Sequence, residues 1–186
     1  MTSATAHRHP QHPSPWVRRF APLLPAGGTV LDLACGGGRH SRYFVTRGHP
    51  VTAVDRNLTA VEDLREQAEL ITADLEDGAP WPLAGRRFAL VVVTNYLFRP
   101  LFPAIVGAVA DGGLLIYETF GLGNECFSRP RNPDHLLRPG ELLERVQGEL
   151  QVIAYETGVT PQPAVVQRIV ARRGDEPVAL PDAQYP

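Results

Sequence analysis

Residues Phe88–Asn95 read FALVVVTN, and six consecutive positions from Phe88 are apolar. A surface helix would interrupt such a run with polar residues every third or fourth position, and a strand with one wet face would alternate. A run that does neither must be covered on both sides. This is the condition of a central strand in a parallel α/β sheet, and the segment is far too short to span a bilayer.

The surrounding sequence supplies the rest of such a sheet. Ser14 and Pro15 open a short helix through Trp16–Phe20, with Ser as N-cap and Pro in the first turn. Thr29–Ala34 is a first strand, ending in the cluster Gly36-Gly37-Gly38, and Arg39–Arg47 a helix stopped by Gly48. Val51–Asp55 is a second strand, Leu58–Glu69 a second helix and Leu70–Asp74 a third strand. After the central run, Pro100–Ala110 reads as a helix closed by Asp111-Gly112-Gly113, and Leu114–Thr119 as strand five. Alternation at this spacing predicts parallel strands joined by right-handed crossovers. The rhythm then breaks. Glu141–Gln147 is a helix, but only residues 158–164 separate the strands Leu150–Thr157 and Val165–Arg172. A parallel crossover needs a dozen or more residues, so this pair is an antiparallel hairpin. The expected architecture is a Rossmann-like α/β fold: a seven-stranded, mostly parallel sheet with a C-terminal antiparallel hairpin and helices on both faces.

Residues 1–13 read as a disordered tail, 14–173 as a single domain and 174–186 as a polar C-terminal tail. His7, His9 and His12 lie in the Pro-broken N-terminal stretch and suit a flexible segment better than a metal site, so no metal is expected. No apolar stretch resembling a signal peptide is seen, and Cys35 and Cys126 form no framework or metal-ligand spacing. A cytoplasmic location and a monomer or homodimer are the expectation.

Charge narrows the chemistry. The chain holds 18 arginines, no lysine and 20 acidic residues, for a net charge of −2. Schiff-base, pyridoxal-phosphate and P-loop lysine chemistries are excluded, and any anionic partner must meet arginine. A nucleic-acid substrate is not expected at this charge balance.

In an open α/β sheet a ligand sits beyond the carboxyl ends of the strands. Three acids stand at three predicted strand ends: Asp32, Asp55 and Asp74. The first lies beside the glycine cluster, where the backbone can turn sharply and approach a ligand. Asp55 is placed to accept from a ribose diol. Each feature has a bland alternative, a tight turn or a helix cap, but their conjunction suits one adenosine-bearing ligand.

The stretch VLDLACGGGRHSRYFVTRGHPVTAVDRN resembles the first two motifs of class I S-adenosylmethionine-dependent methyltransferases, in the small tellurite-resistance-type branch. The resemblance implies S-adenosylmethionine as cofactor and S-adenosylhomocysteine as product. By position it implies that Asp32 and the loop Cys35–Gly38, with Gly36 and Gly38, contact the methionine portion. Asp55 would hold the ribose hydroxyls and Arg56 flank the adenine, whose edge Asp74 and Leu75 would address. Asn95 and Tyr96 would line the opening toward the methyl group, and Trp16 and Arg39 would close over the amino-acid end. Two alternatives stay open. Gly36-x-Gly38-x-x-Ser41 fits a dinucleotide fingerprint but for its third position, leaving a nicotinamide-dependent oxidoreductase. A non-catalytic S-adenosylmethionine-binding protein is the other.

In-line methyl transfer requires positioning more than covalent help, so no catalytic triad is expected. Candidate bases are His40, Tyr96, Glu118 and His135, of which Tyr96 and His135 are favoured, and Cys126 is an isolated thiol. The segment from Phe120 to Gly140 exceeds ordinary loop length and reads as a binding loop or lid. It brings Asn124, Arg129, Arg131, Asn132 and His135 toward a small-molecule acceptor, with Arg129 or Arg131 meeting an anionic group. Asn95-Tyr96-Leu97-Phe98 lacks the Asn/Asp-Pro-Pro-Tyr pattern common in methyltransferases acting on DNA bases or glutamine.

Overall fold

The computed structural model describes residues 12–181. Within them Val30–Leu33 (β1), Val51–Asp55 (β2), Glu69–Thr72 (β3), Phe88–Thr94 (β4), Val109–Phe120 (β5), Gln151–Val159 (β6) and Val165–Arg172 (β7) form one sheet. Its order is β3-β2-β1-β4-β5-β7-β6. The pairs among the first five strands are parallel, and β7 runs antiparallel to both β5 and β6. The hairpin therefore inserts its second strand against β5 and leaves β6 at the edge. Strand order reverses between β1 and β4, which opens a cleft at their carboxyl ends.

β4 is buried on both faces, as its composition requires. Val91 and Val93 join Leu31, Leu33, Leu115 and Tyr117 under Phe102–Gly107 (α3) and Glu141–Val146 (α4), through Phe102, Ile105, Leu142 and Val146. Leu90 and Val92 face the opposite way, with Val30, Leu114 and Ile116, toward Pro15–Phe20 (α1) and Arg39–Val45 (α2). The Ser14 hydroxyl caps α1 by accepting from the Trp16 amide at 3.1 Å. Trp16 is fully buried, stacks edge-on against Phe20, and its indole N–H donates to the Ile169 carbonyl at 3.4 Å. It staples α1 to the sheet and does not face the cleft, contrary to the position carried over from the resemblance.

Two expected helices are shortened. The segment between β2 and β3 makes a 3₁₀ turn at Thr59–Leu64 in place of a helix over Leu58–Glu69. Leu58, Val61 and Leu64 bury against Ala53 and Cys35, and with β3 starting at Glu69 the chain has no length left for further turns. The helix expected over Pro100–Ala110 ends at Gly107, because Val109 already pairs with Phe88. The register then shifts between Phe88 and Leu90, and β5 continues unbroken. Glycine is required at position 113, where a Cβ would lie 2.8 Å from the Ala110 carbonyl oxygen and 2.9 Å from that of Phe88.

A Trp16→Ala substitution should cost about 3–5 kcal/mol, the range for a large buried aromatic. Urea denaturation measures it. An unchanged midpoint would show that Trp16 is not the staple described.

Candidate functional site

Both strands flanking the order reversal end in unusual backbone. Ala34 after β1 has φ 52° and Asn95 after β4 has φ 55°, left-handed values that non-glycine residues seldom adopt and that gather at functional sites. Gly38 follows at φ 69°, and a Cβ there would collide with the Val61 side chain of the neighbouring 3₁₀ turn. The loop thus requires glycine both for its dihedral and for its proximity to the β2–β3 connection.

Asp55 ties that loop to β2. One carboxylate oxygen accepts from the Gly36 amide at 2.8 Å and the other from the Asn57 amide at 3.0 Å. Beside it lies a cavity of about 370 Å³ lined by Ala34, Asp55, Arg56, Ala73, Asp74, Leu75, Glu76, Tyr96 and His135. Depressions of about 500 and 530 Å³ also exist, but one lies at the amino ends of the strands around Thr29, Val51 and Phe88, the other at the outer hairpin. Position at the order reversal, not volume, singles out the cleft.

Six of the residues marked in the sequence converge on this cavity: Asp55, Arg56, Asp74, Leu75, Tyr96 and His135. Ala34, Ala73 and Glu76 complete it and were missed. Ala34 and Ala73 carry no chemical signal. Glu76 repeats the acid two positions earlier, and its amide donates to Asp74 Oδ1 at 3.0 Å. The Tyr117 hydroxyl pins the Tyr96 carbonyl at 2.8 Å. Burial, reinforced by the Glu76, Asp74 and Asp55 carboxylates, pushes the Tyr96 hydroxyl far above its ordinary pKa, so it keeps its proton and can donate but not act as a base.

The residues behind the glycine loop form a buried polar cluster. Asp32 is 2% exposed and accepts from the Ser41 amide at 2.9 Å and the Ser41 hydroxyl at 2.6 Å. Burial raises its pKa to about 6 against those two hydrogen bonds. Asp32 thereby fixes the start of α2 and does not line the cavity. His40 Nε2 accepts from the Ser14 amide at 3.1 Å. Burial first, then Arg39, lowers its pKa to about 3, so it is a neutral structural imidazole with its acceptor nitrogen occupied. Arg39 reaches the Thr94 hydroxyl at 3.3 Å, beside β4's carboxyl end. Cys35 is buried and its thiol is held protonated by that burial. Asn95 is exposed at the rim. Glu118 is ion-paired with Arg168 at 2.9 Å and accepts from Ser14 Oγ at 2.9 Å, which removes it as a free base.

The long connection after β5 divides into parts. Asn124 is fully buried: its amide donates to the Pro130 carbonyl at 3.2 Å and its oxygen accepts from the Val165 amide at 3.2 Å. It braces the loop and faces no acceptor, a correction to the sequence expectation. Arg129 and Arg131 are exposed and do not line the cavity, and Cys126 is an exposed free thiol. Asn132 caps the 3₁₀ turn Pro133–His135 by accepting from the Asp134 amide at 3.0 Å. His135 alone among the five marked loop residues reaches the cavity. His7 and His9 lie outside the described residues, and among the described residues no three His, Cys, Asp or Glu side chains gather to hold a metal.

Comparison with known proteins agrees with this geometry. Residues 30–111 match the family described as methyltransferase domain. The malonyl-[acyl-carrier protein] O-methyltransferase of Salmonella typhimurium is 30% identical over 52% of this chain and 40% of its own length. The chain thus spans well under half of that relative. A TehB-like methyltransferase from Corynebacterium glutamicum superposes with TM-score 0.64 at 19% identity, covering 86% of this chain and 88% of its own. The 1,6-didemethyltoxoflavin N1-methyltransferase of Burkholderia thailandensis does so with TM-score 0.64 at 17% identity, over 87% and 77%. Strand order, reversed β7 and the matched segment define a methyltransferase domain. The chain therefore has the fold of these S-adenosylmethionine-dependent methyltransferases and carries a methyltransferase-domain match over residues 30–111.

The buried pair Asp32 and His40 gives opposing pH signatures. The His40 pKa falls from 6.5 to about 3 on folding, so unfolded chains take up a proton that the fold refuses, and stability is lost as pH drops through that window. The Asp32 pKa rises from 3.8 to about 6, so its ionisation penalty, full above pH 6, is relieved as pH falls toward 3.8. Urea midpoints between pH 7 and 4 should therefore fall less steeply for His40→Gln and more steeply for Asp32→Asn than for the unsubstituted protein. Parallel slopes in all three would contradict the assignment.

Proposed function

We propose that the chain binds S-adenosylmethionine at the carboxyl ends of β1, β2 and β3 and directs its methyl group to a small-molecule acceptor. The observation that carries this reading is the cavity that joins Asp55 and Asp74, from the adjacent ends of β2 and β3, to the strained turn at Ala34 after β1. A nucleoside presents hydroxyl and amine donors, and the cavity presents carboxylate acceptors. Asp55 uses one lone pair on each oxygen for Gly36 and Asn57, which orients it and leaves further lone pairs for a ribose diol. Asp74 and the Leu75 backbone are placed for the adenine edge, and Arg56 for its flank. The loop Cys35–Gly38 and Arg39 are assigned to the methionine portion, with Asp32 acting through Ser41 and the start of α2. Asn95 and Tyr96 border the side on which an acceptor enters.

The bound cofactor supplies an electrophilic methyl group on a sulfonium that leaves as a thioether. The chain's contribution is to orient, to exclude water and to hold the nucleophile in line. Of the candidate bases, His40, Glu118 and Tyr96 are unsuited to remove a proton and His135 remains, so the acceptor is read either as a group already ionised, such as a thiolate or oxyanion, or as one that His135 deprotonates. A small acceptor is favoured by the near-neutral charge and by the likeness to a methyltransferase whose substrate is 1,6-didemethyltoxoflavin, solved with that compound and S-adenosylhomocysteine. The reversed β7 speaks against a nicotinamide dinucleotide, whose usual fold keeps all six strands parallel. A cytoplasmic setting suits the two free cysteines.

S-adenosylhomocysteine at about 100 times its dissociation constant should add about 2.7 kcal/mol of stability. Thermal unfolding reads this directly, with NAD as the control, and Asp55→Asn should lose most of the gain. Stabilisation by NAD alone would overturn the cofactor assignment. Release of S-adenosylhomocysteine against a panel of thiols, oxyanions and small carboxylates then identifies the acceptor class.

A further inference from the structure

His135 is exposed and reaches the cleft from a long loop that is buried at Asn124, Leu136 and Leu137, and its backbone is held on both sides by one side chain. Arg99, in the 3₁₀ turn Arg99–Leu101 that leads into α3, donates to the Asp134 carbonyl at 2.7 Å and to the Leu136 carbonyl at 2.8 Å. The same guanidinium grips Glu141 of α4 through two bonds of 2.9 Å. Glu141 is fully buried and also accepts from Arg145 at 2.8 Å and the Arg138 amide at 3.0 Å. Asn124 braces the loop, and its stem is closed by the Leu122 amide donating to the Leu137 carbonyl and the Leu137 amide donating to the Phe120 carbonyl, each at 2.9 Å. A bidentate guanidinium locked on a buried carboxylate is a rigid anchor. Pairing with Glu141 serves the fold, but the two further bonds to the carbonyls of Asp134 and Leu136 fix the backbone on either side of the exposed His135.

The cavity under His135 is bordered by Asp55, Asp74 and Leu75, the nucleoside side of the cleft, and Arg129 and Arg131 are not among its walls. We infer that the loop after β5 is a fixed roof over the nucleoside end of the cofactor, with His135 as the contacting group and Arg99 as the positioning residue that holds it there. This rests on the cofactor reading above and moves the loop's role from acceptor capture to cofactor retention. The imidazole can cover the base or ribose and exclude water from the hydrogen bonds beneath it. Arg99 acts only through the two carbonyls that flank His135.

The test uses the full chain, S-adenosylhomocysteine as probe, calorimetric affinity and stopped-flow dissociation. His135→Ala, an exposed position, should leave the urea midpoint unchanged, weaken binding about tenfold and speed dissociation by a like factor, the scale of one lost contact. Arg99→Gln should weaken binding comparably. In the double variant the losses should not add, because Arg99 works through His135. Additive losses would reduce Arg99 to a general structural role and overturn its assignment. Unchanged affinity and dissociation in His135→Ala would overturn the roof while leaving the cofactor reading intact. No binding by the unsubstituted chain would overturn both. If Arg99→Gln fails to fold, His135→Ala alone still decides the contact.

Discussion

Everything in this molecule follows from β4 being covered on both faces. Each of its central residues is in contact with a helix layer on one side or the other, so the sheet can exist only with α1 and α2 below and α3 and α4 above. Helices that cover both faces of parallel strands must be reached by crossovers, and the crossovers gather the loops at the carboxyl ends. At the reversal between β1 and β4 those loops diverge. The cleft is the gap they leave, and the strained residues Ala34 and Asn95 mark its two lips.

Charge is handled inside this frame by arginine alone. Glu141 shows how. Burial opposes its ionisation, yet hydrogen bonds from Arg99, Arg145 and the Arg138 amide outweigh that and bring its pKa down to about 2. Its contribution to stability is therefore present above the ordinary carboxylate pKa of 4.5 and lost only as pH falls toward 2. Glu118 and Arg168 make a second such pair on the other side of the sheet's carboxyl end. A planar, permanently charged guanidinium can bond a carboxylate and two carbonyls at once, which an ammonium could not do with the same geometry. The absence of lysine, first an exclusion of imine and phosphate chemistry, is here a structural resource.

Most of the cavity's polar lining was legible in the sequence because those residues end strands, and strand ends are set by local pattern. Asp55, Asp74 and Tyr96 were found in that way, and the cavity joins them. Trp16 and Asn124 were misplaced for a shared reason. Trp16 was placed by the resemblance and Asn124 by its position in the long loop, but the polar atoms of both are used by distant backbone, the Ile169 carbonyl for one and Val165 and Pro130 for the other. Such partners lie far along the chain and leave no periodic trace. Arg99 escaped notice because nothing local distinguishes a bridging arginine from a solvated one.

Periodicity, glycine placement and the short link before Val165 were enough to determine the parallel core, the hairpin and the acids of the cleft, since each depends on neighbours in sequence. Tertiary structure alone decided that β7 rather than β6 meets β5, that the β2–β3 connection stays a 3₁₀ turn, and that His135 joins Asp55 and Asp74 in lining one cavity. Those outcomes depend on which buried surfaces and carbonyl groups meet across long sequence separations, and a linear pattern does not encode that choice.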